Sequence, residues 1–550
     1  MTKNKGSSDA TVPAGGVGER KRMLFVAYAI VFVSSMCVLV IELVAGRLIA
    51  GHLGSSLYTW TSVIGVVLTG IAIGNWLGGR LADRYDPKRV LPTLYFVSAM
   101  LTFSILILNN YSAGWDRPDA LSWPYWVAFN VFVIFFLPAC ALGTISPVVA
   151  KLALDQGWST GATVGNVYAW GTAGAIVGTF LTGFVLVETF GTRQIVAAVA
   201  FVLIGIGLGL AIWWRKSVVG MTVAAVFMIA LSVFAFADTS WAVDQGIALN
   251  LRQDFSEVIY HAESNYFEIN VYEDDRDNVR VFALDDLVHG YVNTVDPTIL
   301  EYDYAHVYAA LTEGIMDGSG TVATLTIGGG GYVFPRYLEV VYPGSRTHVI
   351  ELDPKVKEAA EIAFLLPPEN QTSIESYLGD ARNAISDFVR STDSRNYEIV
   401  YLDAFNDFSV PHHLTTFEFN EQVKSLMIDD GVYIVNLIDI FTDDYGKFLA
   451  AFVATARETW SNVYVIGTSE DSPTGLRETF VVAASDTPMD LADLGEQAGS
   501  YQEDMALVAS WEGDDMSFEM RNLMRHGRQL VLTDNFAPVD NLVSGLYTAP

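Results

Sequence analysis

Seven apolar runs occupy the first 237 of the 550 residues, each near the ~20 residues that carry a helix across a bilayer. They lie at about 23–48, 58–79, 90–109, 124–150, 164–187, 194–214 and 218–237. This stretch is expected to fold as a multi-pass α-helical membrane domain. The first run is too long for a cleavable signal peptide, and further spans follow it. Residues 1–22, with their Gly, Ser and Lys, read as a disordered cytoplasmic tail.

Charge divides the chain at the same place. The whole is 51% hydrophobic yet carries a net charge of −30, a combination rare in one soluble domain. Residues 1–237 hold 15 Lys and Arg against 9 Asp and Glu, whereas residues 238–550 hold 17 against 53. The acidic half suits either cationic substrates or a salty environment, and only four lysines accompany its acids. Nucleic acid is not an expected partner, because phosphate binding needs basic patches. Cys37 and Cys140 both fall within spans, so the acidic half has no disulfide framework and no cysteine metal site. No metal is expected, because the neighbours His412 and His413 lack nearby partner ligands.

Within the spans, Glu42 and Arg47 read either as an edge pair or as a substrate or proton site. The glycines Gly171, Gly174, Gly178 and Gly183 suit close helix packing. Pro138 and Pro147 interrupt the fourth run, as a kink or as a broken helix.

The acidic half carries a second pattern. "TVATLTI" (321–327) reads as a buried strand, followed by Gly328, Gly329, Gly330 and Gly331 and then the helical "YVFPRYLEVV". "THVIEL" (347–352) is the next strand, ending at Glu351, with Asp353 capping the helix after it. Such a unit lets a ligand lie on bare backbone while the acid accepts from ribose hydroxyls. The G-x-G-x-x-G spacing of dinucleotide sites is missing, because Phe334 takes its last place, so an adenosyl sulfonium fits better than NAD. Two further strands end at Gly379-Asp380 and at Asp403, and ligands of open α/β sheets sit at such ends.

Together "ESNYFEINVYE", "FALDDLVHGY", "IGGGGYVFPRYLEVVYP", "VIELDP", "GDAR", "YLDAFNDFSVPHHLTTFEF" and "LTDNFAPVDNL" resemble the spermidine synthase family, in particular its membrane-fused members. The loop "GGRLADRYDPKR" (78–89) loosely resembles one in major facilitator transporters, of which seven spans would make about half. The resemblance implies a β-hairpin subdomain at 238–300 and a Rossmann-like methyltransferase-fold domain at 301–550. It also implies a transferase that moves an aminopropyl group from decarboxylated S-adenosylmethionine to putrescine or a related amine. Glu351 would hold the ribose, Asp380 and Ala381 the adenine, and the four glycines the rest of the donor. Asp403 would accept the proton, with Asp285, His289, His306, Asn406 and Asp407 around the substrates. Three positions depart from the family pattern: Gly331 stands for a donor-binding acid, Asn406 for a second strand-end acid and His289 for a glutamine. Methyl transfer from S-adenosylmethionine, or a polyamine transporter or sensor with a binding domain, remain alternatives. The setting would be the plasma membrane, with a lipid bilayer as partner and a homo-oligomer left open.

Ten basic residues flank one side of the spans (Arg20, Lys21, Arg22, Arg80, Arg84, Lys88, Arg89, Lys151, Arg215, Lys216) and only Arg117 and Arg193 the other. The amino terminus is therefore expected in the cytoplasm. Seven spans then put the acidic half outside, whereas a cytosolic donor calls for it inside. The charge rule predicts that protease added to intact cells cleaves the acidic half. Protection of that half would mean an even number of spans.

Overall fold

A computed structural model describes residues 16–118, 120–214, 216–255, 257–285, 287–316, 320–391, 395–405, 410–442, 446–491, 505–527 and 529–547. The chain forms two compact units, Met1–Asp254 and Phe255–Pro550.

Among the described residues, the first unit contains seven helices long and apolar enough to cross a membrane, the number expected. Spans 1 to 7 are Gly18–Leu53, Leu57–Arg84, Pro87–Ala113, Trp123–Leu154, Thr160–Thr189, Thr192–Trp213 and Val219–Phe236. Pro138 and Pro147 each remove a backbone donor from span 4. The helix is interrupted at Thr144 alone, which keeps right-handed helical dihedrals (φ −65°, ψ −22°). Glycines bring backbones together at two places. A Cβ on Gly174 in span 5 would lie 2.0 Å from the carbonyl oxygen of Phe32 in span 1. A Cβ on Gly74 in span 2 would lie 2.2 Å from that of Cys140 in span 4. Gly183 meets nothing, so its place in the glycine run is not explained by packing. Asn110 donates to the Asn250 carbonyl (3.0 Å), and Arg193 donates to Asn110 Oδ1 (2.6 Å) and to the Leu251 carbonyl. These bonds fix the carboxyl end of the unit beside the last turn of span 3. A short helix, Ser240–Ala248, belongs to this unit, which therefore runs past the charge boundary near Asp238.

The described residues of the second unit form two sheets. Strands β1 (Val258–Glu263), β2 (Glu268–Glu273), β3 (Val279–Leu284) and β4 (Leu287–Asn293) form an antiparallel meander. The main sheet comprises β5 (Ala323–Ile327), β6 (Arg346–Glu351), β7 (Ile374–Leu378), β8 (Tyr397–Leu402), β9 (Met427–Asp439), β10 (Asn462–Gly467), β11 (Glu478–Ser485), β12 (Ala506–Glu512) and β13 (Asp515–Met516). Their order is β13-β12-β10-β11-β9-β8-β5-β6-β7. Strands β5 to β9 are parallel, and β10 to β13 close one side antiparallel. This is a Rossmann-like, methyltransferase-type sheet.

The sequence explains its centre. β8, "YEIVYL", is apolar nearly throughout and almost wholly buried, as a parallel strand covered on both faces requires. The order of strand addition reverses at β5, whose neighbours β6 and β8 lead outward on opposite sides, and this is where open α/β sheets bind ligands. The strand ends there are laced together: Gly328 N donates to Ile350 O, Gly379 N to Glu351 O and Asp403 N to Ile327 O, each at 2.8 Å.

The Gly174 contact generates a stability prediction. Gly174→Ala should destabilise the first unit by about 1–3 kcal/mol, because the added methyl overlaps a backbone carbonyl. Gly165→Ala in the same span meets nothing within 4 Å and should be neutral, or stabilising by up to about 1 kcal/mol. Thermal unfolding in detergent micelles compares the two.

Candidate active site

The glycine turn after β5 is built for close approach. Gly328 has φ +97°, and a Cβ there would fall 2.1 Å from the Asp403 carbonyl oxygen, so no other residue fits. The next amide, of Gly329, donates to Glu351 Oε2 at 2.7 Å, while Glu351 Oε1 accepts from Asp353 N at 2.8 Å. Asp353 in turn accepts from Lys355 N at the start of the helix Pro354–Ala363, as its capping position predicts. Glu351 is buried, and loss of hydration pushes its pKa up to about 7 against the pull of these amides.

Two cavities meet on this floor. The larger, 290 Å³, lies over Gly328 and Gly330 between Glu351, Asp380, Ala381 and the apolar Ile350, Phe267 and Leu414. Its volume is near the lower limit of ~300 Å³ for small-molecule sites. Asp380 caps the helix Ala381–Arg390 through Asn383 N (3.0 Å), and its other oxygen meets His413 Nε2 at 3.2 Å. The smaller cavity, 60 Å³, is bounded by all four glycines, Tyr302, Tyr304, Tyr308, Asn436 and Thr479. Both cavities are lined by His289, Gly328, Gly330, Asp403 and Phe405.

Asp403 thus stands where the two spaces join. Asn436 Nδ2 donates to its Oδ1 at 2.9 Å, and the Tyr304 hydroxyl donates as well. Burial outweighs these bonds and pushes its pKa up to about 6. The Tyr304 hydroxyl is driven the other way from ionisation, first by burial and then by the Asp403 charge, so it stays a donor. Rings of Tyr291, Tyr302, Tyr304 and Tyr308 follow one another edge to face at 5.3, 5.0 and 5.3 Å between centroids. His289 sits edge to face with Phe282 and Phe405, and burial lowers its pKa to about 4, so its ring is neutral. The described linings include three carboxylates, Glu351, Asp380 and Asp403, and no Lys or Arg. The potential inside favours a cation.

Of the residues singled out by sequence, the four glycines, Glu351, Asp380, Ala381, His289 and Asp403 come together here. Asp285 does not: it occupies the β3–β4 turn with φ +51°, and its carboxylate accepts from Glu268 N (2.9 Å), tying the turn to β2. His306 is also elsewhere, with its Nε2 on the Leu300 carbonyl at 2.7 Å. Asn406 and Asp407 lie outside the described residues. Sequence reasoning missed Tyr304 and Asn436. The crowded tyrosines of "EYDYAHVY" and a lone amide in the apolar strand "GVYIVNLI" were the available signals.

No family model matches the chain. It is similar to a polyamine aminopropyltransferase of Oceanobacillus iheyensis, at 22% identity over 504 residues, covering 88% of this chain and 92% of that protein. A polyamine aminopropyltransferase of Vibrio vulnificus is 37% identical over 112 residues, 20% of this chain and 36% of that protein. The chain spans little more than a third of the Vibrio protein's length. Among solved structures, a probable spermidine synthase of Corynebacterium glutamicum aligns over 51% of this chain and 98% of its own, with TM-score 0.42 and 18% identity.

The buried acids predict a pH dependence. Glu351, Asp403 and Asp439 all have folded pKa values above their ordinary ones, at about 7, 6 and 6, so the folded state holds their protons more tightly. Their contribution to stability is complete below pH ~4 and is lost as pH rises through 6 to 7. The melting temperature of the ligand-free protein's second unit should therefore fall between pH 5 and 7.5. Glu351→Gln should flatten that slope, as scanning calorimetry at several pH values would register.

Proposed function

We propose that the second unit transfers an aminopropyl group from decarboxylated S-adenosylmethionine to putrescine or a related amine, releasing methylthioadenosine, and that the seven apolar helices hold it in the plasma membrane. The observation that carries this reading is the position of Asp403 at the junction of a nucleoside-sized cavity and a smaller, tyrosine-walled one. The naming of curated relatives as polyamine aminopropyltransferases supports it.

In this reading the larger cavity takes the adenosyl group. The Glu351 carboxylate, already fixed by two amides, accepts from the ribose hydroxyls, and Asp380 with Ala381 borders the adenine. Glycine at 328 and 330 leaves room for the sugar against bare backbone. The amine lies in the smaller cavity, its positive charge against the tyrosine faces. Asp403 takes one ammonium proton, helped by a pKa raised towards neutrality. The freed nitrogen attacks the carbon beside the sulfonium. The carbon–sulfur bond breaks, its electron pair stays on sulfur, and a neutral thioether leaves. The chain's main contribution is alignment, because the sulfonium needs no further activation. A neutral His289 at the junction avoids repelling that sulfonium.

Methyl transfer from S-adenosylmethionine is favoured by one observation, the absence of a carboxylate at Gly331. Against it, the described walls offer no cationic side chain for the carboxylate of that donor.

Purified protein given decarboxylated S-adenosylmethionine and putrescine should release methylthioadenosine, measured by chromatography. Adenosylhomocysteine formed from S-adenosylmethionine would establish methyl transfer instead. Asp403→Asn should lower kcat by about 10²–10⁴ while calorimetric binding of methylthioadenosine is kept.

A further inference from the structure

One wall of the larger cavity is the turn 411–414, which contributes Pro411, His413 and Leu414. Leu414 N closes the turn on the Pro411 carbonyl at 2.8 Å. Arg382, the arginine of "GDAR" and second residue of the helix Ala381–Arg390, ties it down. Its Nη1 donates to the His413 carbonyl (2.9 Å) and to Thr416 Oγ1 (3.0 Å). Its Nη2 donates to Asp534 of "LTDNFAP", whose other oxygen accepts from Thr416 Oγ1 at 2.7 Å. The guanidinium lies over the buried Phe419 ring, 5.6 Å from its centroid. Partial burial strengthens these bonds, which hold the His413 backbone beside the first turn of the helix.

That placement sets the His413 ring against Asp380. Nε2 meets Asp380 Oδ2 at 3.2 Å, and a carboxylate only accepts, so the ring carries its hydrogen on Nε2. Asp380 Oδ1 already accepts the capping bond from Asn383 N. One bond lets a carboxylate swing about it, whereas bonds to both oxygens fix its plane. The two side chains are 39% and 35% exposed, so without His413 the second oxygen would bond to water in no fixed direction. Room remains for a ligand, because two carboxylate oxygens offer about four acceptor sites and these bonds use two of them.

Adenine has one strong donor on its edge, the 6-amino group; its ring nitrogens accept and are repelled by a carboxylate. The part of the base that Asp380 can hold is therefore the amino group. We propose that His413 is a positioning residue for base specificity: by fixing the Asp380 carboxylate it makes the larger cavity select a 6-amino purine. The proposal rests on the reading of that cavity as the adenosyl site, and adds to it the group that holds the base-reading acid in place.

Calorimetry on the full chain in detergent micelles tests it with two thioethers. One is methylthioadenosine; the other is methylthio purine riboside, which has hydrogen in place of the 6-amino group. The wild type should bind methylthioadenosine about tenfold or more tightly than its analogue. His413→Ala should cut that preference to about threefold or less, chiefly by weakening methylthioadenosine. His413→Gln, whose amide nitrogen can stand in for Nε2, should keep it. An alanine variant that retains the full preference, or that loses both ligands alike, overturns the proposal. So does a glutamine variant as unselective as the alanine one. A wild type that binds both thioethers equally also overturns it, while leaving the adenosyl reading in place. A wild type that binds neither overturns both.

Discussion

The Glu351 carboxylate, held between the amides of Gly329 and Asp353, organises the floor of the candidate site. One oxygen pins the glycine turn at Gly329 and the other the start of the following helix at Asp353, so two chain segments 24 residues apart share one anchor. The anchor works because it is dry. In water two amide bonds to a carboxylate would exchange freely, whereas here burial strengthens them and makes their loss expensive. The same dryness raises the pKa of the acid, so the group that organises the floor is also one that a rising pH strains.

Asp403 repeats this logic with a different partner set. Its bonds come from side chains, Asn436 on β9 and Tyr304 on the helix Asp303–Met316, and not from amides. Side-chain donors can follow a proton in a way that fixed amides cannot. The two acids are therefore held differently, Glu351 by fixed amides and Asp403 by side chains that can turn.

Much of this was legible in the sequence because it is local. The strand, glycine turn and strand-end acid lie within one stretch, and each has its own signature in β-branched runs, glycine and a capping Asp353. Asp380 and Asp403 were legible for the same reason, as acids that end apolar strands. What escaped was long-range. Tyr304 and Asn436 reach Asp403 only after the sheet is assembled, and nothing near them in sequence announces the partner. Asp285 misled because an acid beside a strand end can serve its own turn, which the left-handed backbone there demands. In the apolar half the number of long helices was plain from hydropathy, but which helix packs on which was not, since that lives in contacts and hardly in residue identity. The glycines of span 5 were noticed; their counterparts in span 2 were not.

Gly328 has a consequence for anyone who would redesign this site. Its lack of a side chain sets how closely the β5 turn approaches the backbone of Asp403, so the gap between Glu351 and Asp403 is a main-chain dimension. Directed evolution cannot retune that gap one residue at a time. A change in what the site admits would have to come from recarving the replaceable panels around it, Tyr302, Leu287 or Thr479, while the gauge underneath stays untouched.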